Sequence, residues 1–274
     1  MDLSEINMYK DIAKHIRLKL IQNASPNIKY HFGGDLSCVE LLVYVYKHLI
    51  PCISPNDQNK DSVILSKGHA CLTLYTLFEE LGYISHSELL TYGMLNSRLQ
   101  GHPHMRKFNL IDFSSGSLGQ GLSVAVGMAL ANKYLKIDRY VYAILGDGEL
   151  QEGQVWEAAM SAHHYKLDKL VCFIDRNRLQ VDGDTESIMA LEPLNLKWQA
   201  FGWEIATVNN GHDFEEIDNA LQKISHSLNP KVLILNTIKG KGISFMENKK
   251  EWHSGYLSAE QADVALDELA RPNV

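Results

Sequence analysis

The sequence contains no apolar run approaching the roughly 20 residues that a membrane-spanning helix needs, so no membrane span is expected. Nor is a secretory leader expected in this segment, because Asp2, Glu5, Lys10 and Asp11 interrupt the apolar residues of the first twenty positions. No tract of Lys and Arg occurs, and 26 basic against 33 acidic side chains leave a net charge of −7. That balance argues against a nucleic-acid partner, whose footprint is a cluster of basic residues. Cysteine is scarce: Cys38, Cys52, Cys71 and Cys172 stand singly in apolar surroundings, without a C-x-x-C pair. Buried free thiols in a reducing cytoplasm are therefore expected, not disulfides or zinc ligands. Repeats, low-complexity tracts and linkers are also missing, so the 274 residues are expected to form one domain spanning 1–274. What is present is ordinary globular composition, 45% hydrophobic and 22% charged, which is enough for a sizeable core and excludes disorder.

Near-helical spacing of Ile6, Ile12, Ile16 and Leu20 predicts a surface helix from about Ser4 to Gln22. Ser37 and Glu40 have the S-x-x-E spacing of a capping box, which predicts a second helix starting at Ser37. The run Val63-Ile64-Leu65 is followed by Ser66-Lys67-Gly68-His69 and then a helix to about Leu81, with Gly82 as its stop. Thereafter strands and helices alternate. Helix Leu118 to Tyr134 precedes strand Val141 to Leu145, and helix Val155 to His164 precedes strand Leu170 to Ile174. A strand near Trp203 to Val208, a helix from about Asp213 to Leu228, and strand Val232 to Leu235 follow. A last helix, Ser258 to Ala270, has a second capping box in Ser258 and Gln261.

Strands that are near-continuously apolar belong in sheets covered on both faces, and alternation with helices implies a parallel sheet with right-handed crossovers. The expected fold is therefore an α/β, doubly wound parallel sheet. Ligands bind such sheets beyond the carboxyl ends of the strands. Four polar, glycine-bearing loops fall there: Ser66-Lys67-Gly68-His69, Gly146-Asp147-Gly148, Asp175-Arg176-Asn177-Arg178 and Lys239-Gly240-Lys241-Gly242. They describe a site for an anionic ligand.

Glycines flanking Asp147 let the backbone turn sharply and approach a ligand, and a carboxylate is a hard oxygen ligand suited to Mg²⁺ or Ca²⁺. By itself the tripeptide reads more readily as a turn with a solvated Asp. Asn177 changes that reading, because it lies thirty residues after Asp147 and just past the next strand. Consecutive crossover strands are usually neighbours, so a carboxylate and an amide oxygen would meet at adjacent strand ends.

A strand, Gly-Asp-Gly, about thirty residues and then Asn resembles the thiamine diphosphate motif, and the wider match resembles the amino-terminal, diphosphate-binding part of transketolases. His31-Phe32-Gly33-Gly34, Ser66-Lys67-Gly68-His69-Ala70, Gly101-His102-Pro103 and Gly116-Ser117-Leu118-Gly119-Gln120-Gly121 are similar to successive motifs of that family. Gly146-Asp147-Gly148-Glu149-Leu150-Gln151-Glu152-Gly153 and His253 continue the order. The resemblance implies thiamine diphosphate with Mg²⁺, or Ca²⁺ or Mn²⁺ in its place. It implies Asp147, Asn177 and the main-chain carbonyl of Leu179 as metal ligands. His69, Gly116, Ser117, Leu118, Gly146, Asp147, Gly148, Glu152 and Asn177 are implied around the cofactor. His31, His102 and His253 are implied around the sugar, where an imidazole titrating near neutrality can take and return protons. His15, His48, His86, His163, His164, His212 and His226 are read as structural or exposed, and His104 stays open. Two positions depart from the family pattern: Arg176 where Asn or Asp often stands, and Phe32 in place of a frequent proline.

The implied activity is transfer of a two-carbon ketol unit from a ketose phosphate to an aldose. A whole transketolase continues into a domain that holds the aminopyrimidine, so the chain is expected to act in the cytoplasm with a complementary carboxyl-terminal subunit, as an α2β2 assembly. The stripe Gly119, Ser123, Gly127, Ala131 either packs its helix on the sheet or meets another subunit. A competing reading is the alpha subunit of a 2-oxo acid dehydrogenase, against which the histidines favour a sugar. A scaffold with a degenerate site is disfavoured by the same histidines and by Asp147 and Asn177. A nicotinamide-binding domain is excluded by the lack of G-x-G-x-x-G after the first strand.

Overall fold

The computed structural model describes residues 1–50 and 60–271. Helix α1 (Leu3–Gln22) starts one residue earlier than expected, because Asp2 and Glu5 form a reciprocal capping box. Two short helices follow, α2 (Phe32–Ser37) and α3 (Val39–Tyr44), the latter running on into a π turn at Val45–Leu49. The capping box expected at Ser37 is not there. Ser37 ends α2, and its hydroxyl donates to the Gly34 carbonyl and to Asp175. Glu40 turns away to meet Arg17 and His212. The S-x-x-E spacing is present but caps nothing, because Asp175, Arg17 and His212, from distant elements, took both side chains.

Strand β1 (Ser62–Leu65) leads into α4 (Cys71–Glu80), after which Gly82 takes φ +79°. That left-handed conformation costs glycine least, and it stops the helix where expected. Next come α5 (His86–Leu89) and α6 (Gln120–Tyr134), then β2 (Val141–Gly146), α7 (Gly153–His164) and β3 (Leu170–Arg176). The chain closes with α8 (Thr185–Ile188), α9 (Leu194–Ala200), β4 (Glu204–Val208), α10 (Phe214–Ile224), β5 (Lys231–Asn236) and α11 (Ala259–Ala270). Ser258 and Gln261 form the expected box at the start of α11.

All strand pairs are parallel and the order is β1-β2-β3-β5-β4. Side chains alternate across the sheet: Val171 and Phe173 enter one core with Ile16, Leu42 and Phe78, while Leu170, Cys172 and Ile174 enter another with Leu122, Ala159 and Trp198. Each fully buried large apolar side chain of this kind is worth about 1.5–3 kcal/mol. Covering both faces therefore makes these apolar runs strands, as the sequence implied. Strand β4, at one edge, is mostly half-exposed.

Cys38, Cys71 and Cys172 are buried free thiols; Cys52 lies outside the described residues. Among the described residues no helix is long and apolar enough to cross a membrane. Gly127 and Ala131 are exposed, and a Cβ added at Gly127 would meet nothing within 4 Å. The small-residue stripe thus does not pack on the sheet at these positions.

Candidate active site

Because the strands run parallel, the loops after β1, β2, β3 and β5 emerge on one edge. Gly146 pairs with Asp175 in the β2–β3 register, so Asp147 and Asn177 stand at adjacent strand ends. A cleft of about 250 Å³ opens there. His69, Leu118, Gly146, Asp147, Gly148, Glu152, Asn177, Leu179 and His253, all expected in the site, line it. His31 and His102 adjoin it through the histidine cluster. Gly116 lies beside His102, where an added Cβ would sit 3.7 Å from the ring, and Ser117 is exposed. Neither Gly116 nor Ser117 is among the residues lining the cleft.

The Asp147 carboxylate is held by the Gly148 amide at 2.8 Å, the Arg178 amide at 2.5 Å and Arg176 Nη1 at 3.1 Å. Burial and the neighbouring Asp175 nevertheless raise its pKa. A buried carboxylate facing a cleft in this way gains from a cation. Asn177 Oδ1 accepts from the Leu179 amide at 3.1 Å, while its Nδ2 donates to Asp175 at 3.3 Å, which orients the amide oxygen. One carboxylate, one amide oxygen and one main-chain carbonyl on the same cleft are a hard-oxygen set that fits Mg²⁺ or Ca²⁺ with sites left for diphosphate and water. Among the described residues there is no group of three or more His, Cys, Asp or Glu placed to hold a metal. The buried Oε1 of Gln180, another residue of the lining, is left without a partner.

Four histidines converge from four segments. Ring centroids are 5.4 Å apart for His31 and His69, 5.3 Å for His69 and His253, 5.8 Å for His31 and His253, and 6.4 Å for His31 and His102. Burial, reinforced by neighbouring histidines and lysines, lowers His31 to about 4 and His253 to about 3, and holds His69 well below its usual range. Burial alone lowers His102, which is exposed at the mouth of the cluster. At neutral pH the rings are uncharged and can accept protons. The Nδ1 of His31 is buried and unpartnered. His104 adds a buried, unpartnered Nδ1 but no ring contact with the four.

Three groups in the cleft went unrecognised in the sequence. Burial opposes the charge of Lys67, but Asp175 more than restores it, and the ammonium also bonds the Gly34 carbonyl at 3.0 Å. Lys239 Nζ lies 3.2 Å from the Leu179 carbonyl and 3.2 Å from His253 Nδ1. Burial and the charge of Lys67 lower it to about 8. Glu149 accepts from the amides of Gly119 at 2.9 Å and Gly146 at 3.1 Å and from the Ser66 hydroxyl, tying three loops together. The signal was available for Lys67 and Lys239, since both lie in glycine-bearing strand-end loops. Glu149 stands in the motif after β2 as well, but its role did not show there, because two of its partners come from segments far away in the chain. At Gly119, φ is +81° and an added Cβ would come within 2.7 Å of Glu152, so the turn entering α6 requires glycine.

Fold and cleft together define an α/β cofactor-binding domain whose strand-end loops receive an anionic ligand beside a row of neutral histidines. Residues 8–270 match the family model "Transketolase, thiamine diphosphate binding domain", and the chain belongs to that family. It is 42% identical over 243 residues to one subunit of the apulose-4-phosphate transketolase of Phocaeicola vulgatus, covering 88% of this chain and 86% of that one. It is also 42% identical over 244 residues to a 6-deoxy-6-sulfo-D-fructose transketolase subunit of Clostridium sp., covering 88% of each. Its fold superposes on the transketolase of Leishmania mexicana with a TM-score of 0.89 at 27% identity. That match covers 96% of this chain but 41% of the solved one, so the chain spans less than half the length of the solved transketolase.

Proposed function

We propose that the chain is the amino-terminal subunit of a split transketolase, moving a two-carbon ketol unit from a ketose phosphate to an aldose. The observation that carries this reading is the single cleft in which the hard-oxygen set of Asp147, Asn177 and Leu179 lies beside four neutral histidines. The split arrangement is supported by relatives named as subunits, which the chain matches over 86–88% of their own length. One domain over 1–274 is supported by the single sheet, and an α2β2 assembly in the cytoplasm with a carboxyl-terminal subunit is our reading of its organisation.

Thiamine diphosphate, when bound, supplies the carbon nucleophile and electron sink that ketol transfer requires. Asp147, Asn177 and the Leu179 carbonyl would hold the divalent cation, and Lys67 and Lys239 would offset the charge of the diphosphate. His69, the Gly146-Asp147-Gly148 turn, Glu152 and the Gly116-Ser117-Leu118 loop would shape its seat. His31, His102 and His253 would face the sugar, orienting its hydroxyls and carrying protons as the carbon–carbon bond breaks and forms. Choice of sugar would be shared with the companion; the two relatives are named for different substrates.

The test is ketol transfer from ketose phosphates, with thiamine diphosphate and Mg²⁺, by the chain alone and with its companion. Turnover is expected only from the pair. Full turnover by the chain alone would refute the split arrangement, and carbon dioxide release from 2-oxo acids by the pair would favour a dehydrogenase subunit instead.

A further inference from the structure

Arg176 ends β3 with its side chain 1% exposed, and its guanidinium joins Asp147, which lines the cleft, to a segment outside the lining. Nη1 donates to Asp147 Oδ2 at 3.1 Å and to the Thr185 hydroxyl at 2.7 Å. Nη2 donates to Glu186 at 2.7 Å and to Glu192 at 3.1 Å. Both glutamates are themselves anchored: Glu186 accepts from the amides of Leu191 and Glu192, and Glu192 from that of Leu194. Segment 184–194 is thus folded around the same guanidinium that fixes Asp147.

The charges matter as much as the geometry. A lone arginine beside Asp147 would cancel the only carboxylate of the oxygen set and repel a metal ion. Here Asp147, Glu186 and Glu192 surround the one guanidinium, so the group remains net negative. Glu186 and Glu192 are 31% and 46% exposed, so their field is partly screened but not abolished.

We infer that Arg176 is a positioning residue: its fork holds Asp147 in the orientation that presents it to the metal, and couples the folding of segment 184–194 to metal and diphosphate loading. Glu186 and Glu192 are the counter-charges that keep this arrangement attractive to a divalent cation. The inference rests on Asp147 being a metal ligand.

Mn²⁺ binding in the presence of thiamine diphosphate, followed by electron paramagnetic resonance on the chain assembled with its companion, tests it. Hydrogen exchange of segment 184–194 with and without Mn²⁺ and thiamine diphosphate gives a second readout. Arg176→Met is expected to raise the Mn²⁺ Kd about 10–100-fold, the usual cost of losing a group that orients a ligand. It should also abolish the extra protection that loading confers on 184–194. Arg176→Lys should not rescue either effect, because a point charge cannot bridge Asp147 and the two glutamates. Glu186→Gln with Glu192→Gln should weaken Mn²⁺ several-fold, more at low salt than at high salt. Wild-type Mn²⁺ affinity and unchanged protection in folded Arg176→Met would overturn the inference. Should that variant not fold, unchanged affinity in the double glutamine variant would overturn it instead. Asp147→Ala separates the two claims: if it too binds Mn²⁺ normally, the metal assignment fails; if it alone loses Mn²⁺, only the role of Arg176 fails.

Discussion

The Lys239 ammonium stands 3.2 Å from Nδ1 of His253, and the same nitrogen reaches the Leu179 carbonyl. The residue therefore joins the histidine cluster to the loop that carries Asn177. Its charge, after burial, is the largest influence keeping His253 unprotonated.

Acid stability should follow from these rings. His31 and His253 have folded pKa values of about 4 and about 3, against 6.5 for an ordinary histidine. As pH falls below 6.5 the unfolded chain takes up protons that the folded chain refuses. The stability associated with the pair is fully present above 6.5 and is lost progressively as pH drops from there to about 4 for His31 and about 3 for His253. Urea unfolding at pH 7 and pH 5 should show a smaller difference after His31→Asn and His253→Asn together. An unchanged acid slope would mean that other groups control it.

The metal assignment predicts that Asp147→Ala leaves a folded chain with little affinity for the cofactor. Losing a ligand outright should cost more than the roughly 100-fold that loss of a supporting group can cost. Calorimetry of thiamine diphosphate binding to the assembled subunits, with and without Mg²⁺, checks this. Equal affinity in wild type and variant would remove Asp147 from the site.

Substrate and cofactor roles should separate kinetically. His102→Ala or His253→Ala should lower turnover roughly 10²–10⁴-fold, the usual range for a proton-transfer group, while thiamine diphosphate still binds. His226→Ala serves as the control and should change nothing measurable. Wild-type turnover in either site variant would return that histidine to a structural role.

Behind the Lys239 loop, Arg17 pairs with Glu40 at 2.6 Å, and Glu40 meets His212 Nδ1 at 2.8 Å. Burial would raise Glu40, but Arg17 and His212 hold it far below the usual carboxylate range. Arg17 Nε donates to the Lys241 carbonyl at 3.2 Å, and His212 Nε2 accepts from the Ile238 amide at 2.9 Å. Glu40→Leu strands a buried guanidinium and should cost about 3–5 kcal/mol, read from urea unfolding. A loss below about 1 kcal/mol, the worth of an exposed pair, would mean that water reaches the network.

The histidines worth following came from the resemblance to transketolases, whereas periodicity and strand-end chemistry were enough for the parallel sheet and for the neighbouring placement of Asp147 and Asn177. These depend on residues close in sequence or on the general rule that ligands bind where parallel strands end. Tertiary structure alone decided the rest. Ser37 and Glu40 carry a local capping pattern, yet Asp175, Arg17 and His212 claim them, because satisfying a buried charge outweighs a helix cap. The contacts of Glu149 with Ser66 and Gly119, of Lys239 with Leu179, and of Arg176 with Asp147 likewise arise between segments dozens of residues apart. Burial turns such contacts into strong constraints, and burial is a property of the packed chain.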